Sequence, residues 1–169
     1  LTCAKQHAWR TIGHVQLEGQ RMDTGKATIF VVDDEECVRA SLRRLLAVSG
    51  FDVRTFESGH HFLLEHDPER PGCVLLDLAL PGLNGLQVQD ALRDAGIERP
   101  IIFLTGQADV PSSVRALKRG AVDFISKPIE DADLLAAVCA AVALDAEARE
   151  RRRLIAQIQE RMQRLTQRE

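Results

Sequence analysis

Three carboxylates, a hydroxyl group and an ammonium group each follow a short apolar run of the chain. The polar residues that end these runs are Asp33 with Asp34, then Asp77, Thr105 and Lys127. Adjacent carboxylates repel one another, and Mg²⁺ relieves this repulsion because it prefers carboxylate oxygens and readily adds a phosphoryl oxygen. A carboxylate beside Mg²⁺ and an ammonium group can attack a phosphoryl group. This set of residues therefore predicts phosphoryl chemistry at an aspartate.

The apolar runs must be strands of one sheet if these side chains are to meet. They cover residues 29–32, 51–55, 73–76, 101–104 and 122–125, and segments of helical periodicity lie between them. Five strands alternating with helices indicate an α/β fold, a doubly wound parallel sheet with helices on both faces. The carboxyl ends of parallel strands share one edge of the sheet. We therefore expect the five polar residues to line one cleft, with Asp77 at the end of the central strand.

Capping residues mark where the predicted helices begin and end. Gly50 ends the first helix, Ser58 caps the second, Asn84 opens the third, and a fourth runs from Asp109 to Gly120. Residues 129–169 contain no Gly or Pro and are rich in helix formers, which predicts an extended C-terminal helix.

An apolar seam in this last helix is formed by Ile155, Ile158, Met162 and Leu165, at spacings of 3, 4 and 3 residues. Such a seam is typical of a short coiled coil with a second chain, but it also suits a helix that packs on its own neighbour. The sequence leaves both interpretations open.

Each polar residue also has a simpler interpretation when it is taken alone. Asp34 could simply cap a helix, Asp77 could lie in a loop, Thr105 could be a cap, and Lys127 could be a solvated charge. If all of these simpler interpretations were correct, the polar residues would have to fall at the same edge of one sheet by independent coincidences. The combined pattern favours a functional site.

Composition excludes several other classes of function. A net charge of −3 and 4% aromatic residues give no support to nucleic-acid binding by the chain as a whole. No apolar run approaches the ~20 residues needed to cross a membrane, so we expect no membrane partner. The four cysteines and the histidines at 60, 61 and 66 lack metal-site spacing, and no signal peptide is visible. We expect a reducing, cytoplasmic setting.

Four segments together resemble the signature of response-regulator receiver domains of two-component systems. They are Val31–Glu35, Leu76–Gly85, Leu104–Gly106 and Asp123–Pro128, in the order and spacing of that family, within a match of about residues 27–143. The resemblance implies a flavodoxin-like sheet with strand order 2-1-3-4-5. It implies that Asp77 is the phospho-acceptor, and that Asp33 and Asp34 help to hold Mg²⁺ with the backbone carbonyl of Ala79.

The same resemblance assigns a switch and partners. Thr105 and Phe124 would be the switch pair, Lys127 would bind the phosphoryl group, and the Lys127–Pro128 bond would be cis. A sensor histidine kinase would supply the phosphoryl group, and the chain would be no enzyme beyond its own phosphorylation and dephosphorylation. A homodimer would form through the fourth predicted helix, the fifth strand and the following helix, and the apolar seam described above offers the linker helix as another route.

A narrower resemblance concerns the output of the protein. Residues 105–111 and 120–124 resemble the nitrogen-fixation and nitrate-regulator subgroup, whose members carry a LuxR-type helix-turn-helix after a linker. Residues 164–169 resemble the opening of that DNA-binding domain. We therefore predict an N-terminal extension at 1–26 with the natural start near Met22, a receiver domain at 27–143, and a helical linker at 144–169. DNA would be bound only through a domain beyond this sequence.

Two other functions use similar residues. A stand-alone phosphorelay module would lack any DNA-binding output. A haloacid-dehalogenase-type phosphatase also uses a strand-end aspartate, Mg²⁺, a threonine and a lysine. Such a phosphatase requires a second aspartate two residues after the nucleophile, and Ala79 stands there.

Overall fold

The computed structural model describes residues 27–106 and 120–166. Its elements are the strands β1 (Thr28–Val32), β2 (Asp52–Phe56), β3 (Gly72–Asp77), β4 (Ile101–Thr105) and β5 (Asp123–Ser126), with the helices α1 (Glu36–Val48), α2 (Gly59–Glu65), α3 (Gly85–Asp94) and α4 (Asp131–Thr166). The predicted strands lie within one or two residues of these bounds. The predicted N-terminal extension lies outside the described residues. The helix predicted from Asp109 also lies outside them, and only Gly120, its predicted end, is described.

The five strands form one parallel sheet in the order β2-β1-β3-β4-β5, which confirms the predicted topology. The register aligns the carboxyl ends of the strands. Val32 pairs with Leu76, Asp77 pairs with Leu104, and Thr105 pairs with Ser126. One edge of the sheet therefore carries all the polar residues that follow the strands.

Two apolar layers hold the helices on opposite faces of the sheet, as alternating side chains require. One layer joins β1, β3 and β4 to α1 and α4, and it includes Leu46, Leu75 and Val138. The other joins the sheet to α2 and α3 through residues such as Phe62 and Leu92. Each of these fully buried side chains stabilises the fold by roughly 1.5–3 kcal/mol.

The predicted caps of α2 and α3 are confirmed. The Ser58 side chain accepts a hydrogen bond from the His61 amide at 3.2 Å, and Asn84 forms a reciprocal capping box with Gln87. After α1 the chain turns at Gly50, whose φ is +96°, a value that favours glycine. These local signals set the points at which the chain leaves and re-enters the sheet.

The last helix, α4, is continuous and extends beyond the body of the domain. Asp145 is buried and accepts a hydrogen bond from the Gly72 amide at 2.8 Å, while Arg149 binds Asp145 at 2.7 Å. The guanidinium group of Arg149 also donates to the backbone carbonyls of residues 68, 69 and 70. This network fixes the direction in which α4 leaves the domain. No helix among the described residues combines the length and hydropathy that a membrane crossing demands.

Candidate functional site

The carboxyl edge of the sheet brings together the polar residues predicted to meet there. Asp33 directly follows β1 and is fully buried, whereas Asp77 and Thr105 end β3 and β4 and are each 4% exposed. Lys127 directly follows β5 and is half-buried. A buried carboxylate is costly unless it is paired, so this edge requires a compensating charge.

Lys127 supplies that charge. Its Nζ donates to Oδ2 of Asp33 at 2.8 Å and to Oδ2 of Asp77 at 2.7 Å. Glu35 Oε1 lies 3.5 Å from the same nitrogen, but its side chain is exposed. The ammonium group therefore bridges the two buried carboxylates, which come from different strands.

Backbone amides orient the second oxygen of each buried carboxylate. The Glu35 amide donates to Oδ1 of Asp33 at 2.9 Å, and the Ala79 amide donates to Oδ1 of Asp77 at 2.9 Å. Each aspartate is thus held by the turn that follows its own strand. The alternative in which Asp34 serves as the helix cap does not hold, because Glu35 is the N-cap residue of α1 and makes no side-chain cap bond.

The same contacts explain the direction of two pKa shifts. Burial raises the pKa of Asp33, and the hydrogen bonds from Lys127 and from the Glu35 amide only partly oppose this effect. Burial alone would lower the pKa of Lys127, but hydrogen bonds and attraction to Asp33 and Asp77 outweigh it and raise that pKa. Lys127 therefore stays positively charged at neutral pH.

The acidic residues fit a hard divalent cation. One carboxylate oxygen from each of Asp33, Asp34 and Asp77 lies within 4.8 Å of the others, and Asp34 is exposed at the mouth of the site. Carboxylate oxygens in such a group suit Mg²⁺, which keeps several waters and is held by few protein ligands. Asp34 could therefore reach a cation from solvent, and Asp33 and Asp77 could hold it from within.

Thr105 and Phe124 lie on the same face of neighbouring strands. Phe103 pairs in register with Phe124, and both pack in the layer that faces α2 and α3. Thr105 is two residues beyond Phe103, so its side chain points to that same face. Thr105 also contacts the lysine segment, since its carbonyl accepts from the Lys127 amide at 2.6 Å. The Lys127–Pro128 bond is cis.

Three further residues support the site and were not predicted. Arg39 on α1 donates to the carbonyl oxygens of Asp33 at 2.7 Å and Asp34 at 2.8 Å, which fixes the loop that carries both acids. Glu35 adds its exposed carboxylate. A Cβ at Gly85 would lie 2.6 Å from the Asp77 carbonyl oxygen, so only glycine lets α3 begin this close to β3. The Asn-Gly pair that opens α3 was the available signal for Gly85.

The other titratable candidates make their contacts outside the acidic cluster. His66 Nδ1 lies 3.0 Å from the Phe62 carbonyl oxygen, and the His66 ring lies 4.6 Å from the Phe62 ring. His61 pairs with Glu65 at 3.2 Å on α2. Cys73 is buried, and its burial raises the pKa of the thiol to about 12, as expected of a structural cysteine.

Comparison with known proteins agrees with this architecture. The family described as "Response regulator receiver domain" matches residues 29–139. The chain is 42% identical to nodulation protein W of Bradyrhizobium diazoefficiens over 161 residues, which cover 95% of this chain and 69% of that protein. It is 48% identical to the transcriptional regulatory protein TdiR of Thauera aromatica over 129 residues, or 76% of this chain and 57% of TdiR.

Solved structures show the same fold. The response regulator StyR superposes with a TM-score of 0.77 at 41% identity, covering 80% of this chain and 68% of StyR. FixJ-N gives a TM-score of 0.66 at 41% identity, covering 70% of this chain and 94% of FixJ-N. The chain thus spans 94% of FixJ-N, but only 57–69% of nodulation protein W and TdiR.

The match covers most of the sequence and includes the strand ends that form the acidic cleft. The chain belongs to the response-regulator receiver domain family and has the phosphoryl-accepting, regulatory function of that family.

Proposed function

We propose that Asp77 is the residue that accepts the phosphoryl group. The observation that carries this proposal is the Lys127 ammonium 2.7 Å from Oδ2 of Asp77, at the end of the central strand. In the transfer, a carboxylate oxygen of Asp77 would form the new bond to phosphorus as the bond to the donor's leaving group breaks. Lys127 and the hydroxyl group of Thr105 would then bind the phosphoryl oxygens and offset their charge.

The acidic cluster would hold Mg²⁺ beside the acceptor. Asp33, Asp34 and Asp77 would provide carboxylate oxygens, and the backbone carbonyl of Ala79 would add a further ligand. When bound, the cation neutralises charge on the phosphoryl oxygens. Asp34 is the exposed member of the cluster, so it would act on the cation and contribute little to the folding of the domain.

Thr105 and Phe124 would convert phosphorylation into a change at the surface. A phosphoryl group adds about two negative charges and new acceptor oxygens, which the Thr105 hydroxyl can bind. Movement of Thr105 towards Asp77 would vacate space on the face that it shares with Phe124. Phe124, which is half-buried, would move inward to fill that space. The surface of β5 and α4 would change with it and provide one route to a homodimer.

A sensor histidine kinase would donate the phosphoryl group, and DNA binding would be the controlled output. Relatives named as transcriptional regulatory proteins support this output, among them TdiR and the C4-dicarboxylate transport regulator DctR of Rhodobacter capsulatus. Residues 144–169 would link the receiver domain at 27–143 to a LuxR-type helix-turn-helix domain. In this scheme the chain has no enzymatic role beyond its own phosphorylation and dephosphorylation.

Labelling with acetyl phosphate tests the assignment. Wild-type protein should incorporate the phosphoryl group only with Mg²⁺ present, and Asp77→Asn should abolish incorporation. Asp34→Asn should reduce incorporation and weaken Mg²⁺ binding without loss of the fold, because its side chain is exposed. Asp123→Asn, an exposed residue at the start of β5, is the matched control and should label normally. Full labelling of Asp77→Asn would overturn the proposal.

A further inference from the structure

Lys127 lies among three carboxylates, and only two of them accept a hydrogen bond from it. Its Nζ atom donates to Asp33 at 2.8 Å and to Asp77 at 2.7 Å, and the side chains of these aspartates are 0% and 6% exposed. The third carboxylate belongs to Glu35, whose Oε1 atom lies 3.5 Å from Nζ and whose side chain is 56% exposed. This distance gives an ion pair but is long for a hydrogen bond. Glu35 is therefore the most weakly bound partner of the lysine.

The number of N–H donors on an ammonium group limits the acceptors that Lys127 can serve. A lysine has three such donors. Asp33 and Asp77 accept two of them, so the third remains for Glu35 or for an oxygen of a phosphoryl group on Asp77. The Glu35 carboxylate and the phosphoryl group are both anionic, and like charges beside the same nitrogen repel one another. The two groups would therefore compete for Lys127.

The fold does not use the Glu35 carboxylate elsewhere. Glu35 is the N-cap residue of α1, but its side chain makes no capping hydrogen bond. The bond that holds the acidic loop comes from the backbone amide of Glu35, which donates to Asp33 at 2.9 Å and is retained by any residue except proline. Within residues 27–106 and 120–166, the only ion pair of Glu35 is the one with Lys127. A new side chain at position 35 should therefore change the charge beside Lys127 and leave the fold intact.

We propose that Glu35 is a positioning residue that acts through Lys127 and limits how strongly the site accepts and holds a phosphoryl group. Its carboxylate draws one N–H of Lys127 away from the phosphoryl oxygens, so it slows uptake and weakens binding. An uncharged side chain at position 35 would leave that N–H to the phosphoryl oxygens. This role rests on the proposed function, in which Asp77 accepts the phosphoryl group and Lys127 binds it.

Glu35→Gln in the full 169-residue chain tests this role, with Glu36→Gln as the matched control. Glu36 is the next residue and is also exposed, but it forms no ion pair with any residue that the structure describes. Both variants remove one negative charge from the start of α1. Two quantities are compared with wild-type protein in buffer with Mg²⁺: the rate of labelling by acetyl phosphate and the affinity for beryllofluoride, a phosphoryl mimic, measured by fluorine NMR. Urea denaturation checks that each variant folds.

Glu35→Gln should be labelled several-fold faster and bind beryllofluoride several-fold more tightly than wild-type protein. Glu36→Gln should differ little from wild type, because salt screens an exposed charge that makes no contact. Glu35→Asp, whose shorter side chain withdraws the charge from Nζ, should fall between wild type and Glu35→Gln.

Two results would overturn the proposal. Equal results for the two glutamine variants, changed or unchanged from wild type, would show that the contact of Glu35 with Lys127 has no specific effect. Slower labelling or weaker beryllofluoride binding by Glu35→Gln would show that the carboxylate assists the site. Labelling that persists in Asp77→Asn would instead contradict the acceptor assignment, so failure of the proposed function is distinguished from failure of this role.

Discussion

The Nζ atom of Lys127 lies 2.7 Å from Oδ2 of Asp77, although 50 residues separate them in the sequence. The two residues follow β5 and end β3, so the lysine side chain reaches across the end of β4. The same nitrogen lies 2.8 Å from Oδ2 of Asp33. One ammonium group therefore compensates two buried carboxylates.

Replacing Lys127 by alanine should destabilise the domain most when Mg²⁺ is absent. Asp33 and Asp77 would then face one another without a compensating charge. Loss of hydrogen bonds to charged groups should lower the free energy of unfolding by roughly 1.5–3 kcal/mol. Added Mg²⁺ should restore part of this loss, because it would supply the missing positive charge. Urea denaturation with and without Mg²⁺ measures both effects.

Arg93→Ala is the control for that experiment. Arg93 pairs with Asp90 at 2.9 Å on α3, but its side chain is 57% exposed, so its loss should change stability little and without dependence on Mg²⁺. Equal stability of Lys127→Ala and wild-type protein in Mg²⁺-free buffer would contradict the role given to the lysine.

Thr105→Ala should separate phosphorylation from its structural consequence. Asp77, Lys127 and the acidic cluster remain, so the variant should still take up a phosphoryl group. Without the hydroxyl group, nothing draws residue 105 towards the phosphoryl oxygens, and Phe124 should not move inward. Sedimentation with and without beryllofluoride, a mimic of the phosphoryl group, should therefore show a smaller change than in wild-type protein.

Thr105→Ser keeps the hydroxyl group and should restore most of that change. If Thr105→Ala showed the full beryllofluoride-dependent change in assembly, the coupling through Thr105 and Phe124 would be wrong.

Stability should fall as the pH drops below about 6.5, the ordinary pKa of histidine, partly because of His66. Burial lowers the pKa of His66 in the folded protein. Above the pKa that His66 has in the unfolded chain, neither the folded nor the unfolded state binds a proton at this residue, so its full contribution to stability is present. As the pH falls from there, the unfolded state binds a proton first, and this contribution is completely lost below the pKa that His66 has in the folded protein. Denaturation midpoints from pH 7.5 to about 5 measure this slope.

His66→Asn retains a donor for the Phe62 carbonyl but does not titrate, so it should flatten the slope. His60→Asn, at an exposed position of α2, the helix that His66 caps, serves as the control and should leave the contribution of His66 in place. A slope unchanged by His66→Asn would exclude His66 as a source of the pH dependence.

The sequence predicted the fold well because its signals are local. Each buried strand is a short apolar run that ends at a polar residue, and Ser58 and Asn84 mark helix starts through bonds to residues three positions away. Once the runs are strands of one parallel sheet, their carboxyl ends must share an edge. The convergence of Asp33, Asp77 and Lys127 follows from that topology.

Contacts between distant elements could not be predicted in the same way. Arg39 binds the carbonyls of Asp33 and Asp34 through a side-chain direction that helical periodicity does not specify. Arg149 binds carbonyls about 80 residues earlier in the chain, on the far side of the domain from the acidic cleft. Only the packing of α4 against the start of β3 brings these groups together. Such contacts depend on tertiary geometry, and the spacing of residues in the sequence does not predict them.

The identity of the acceptor is tested most directly by locating the phosphoryl group. Wild-type protein is labelled with acetyl phosphate and Mg²⁺, the acyl phosphate is reduced with borohydride, and the modified residue is identified by mass spectrometry of the peptides. We expect the modification at Asp77 alone, with none at Asp33 or Asp34 in the same cleft. A modification at either neighbour, or at any residue away from the carboxyl edge of the sheet, would contradict the account.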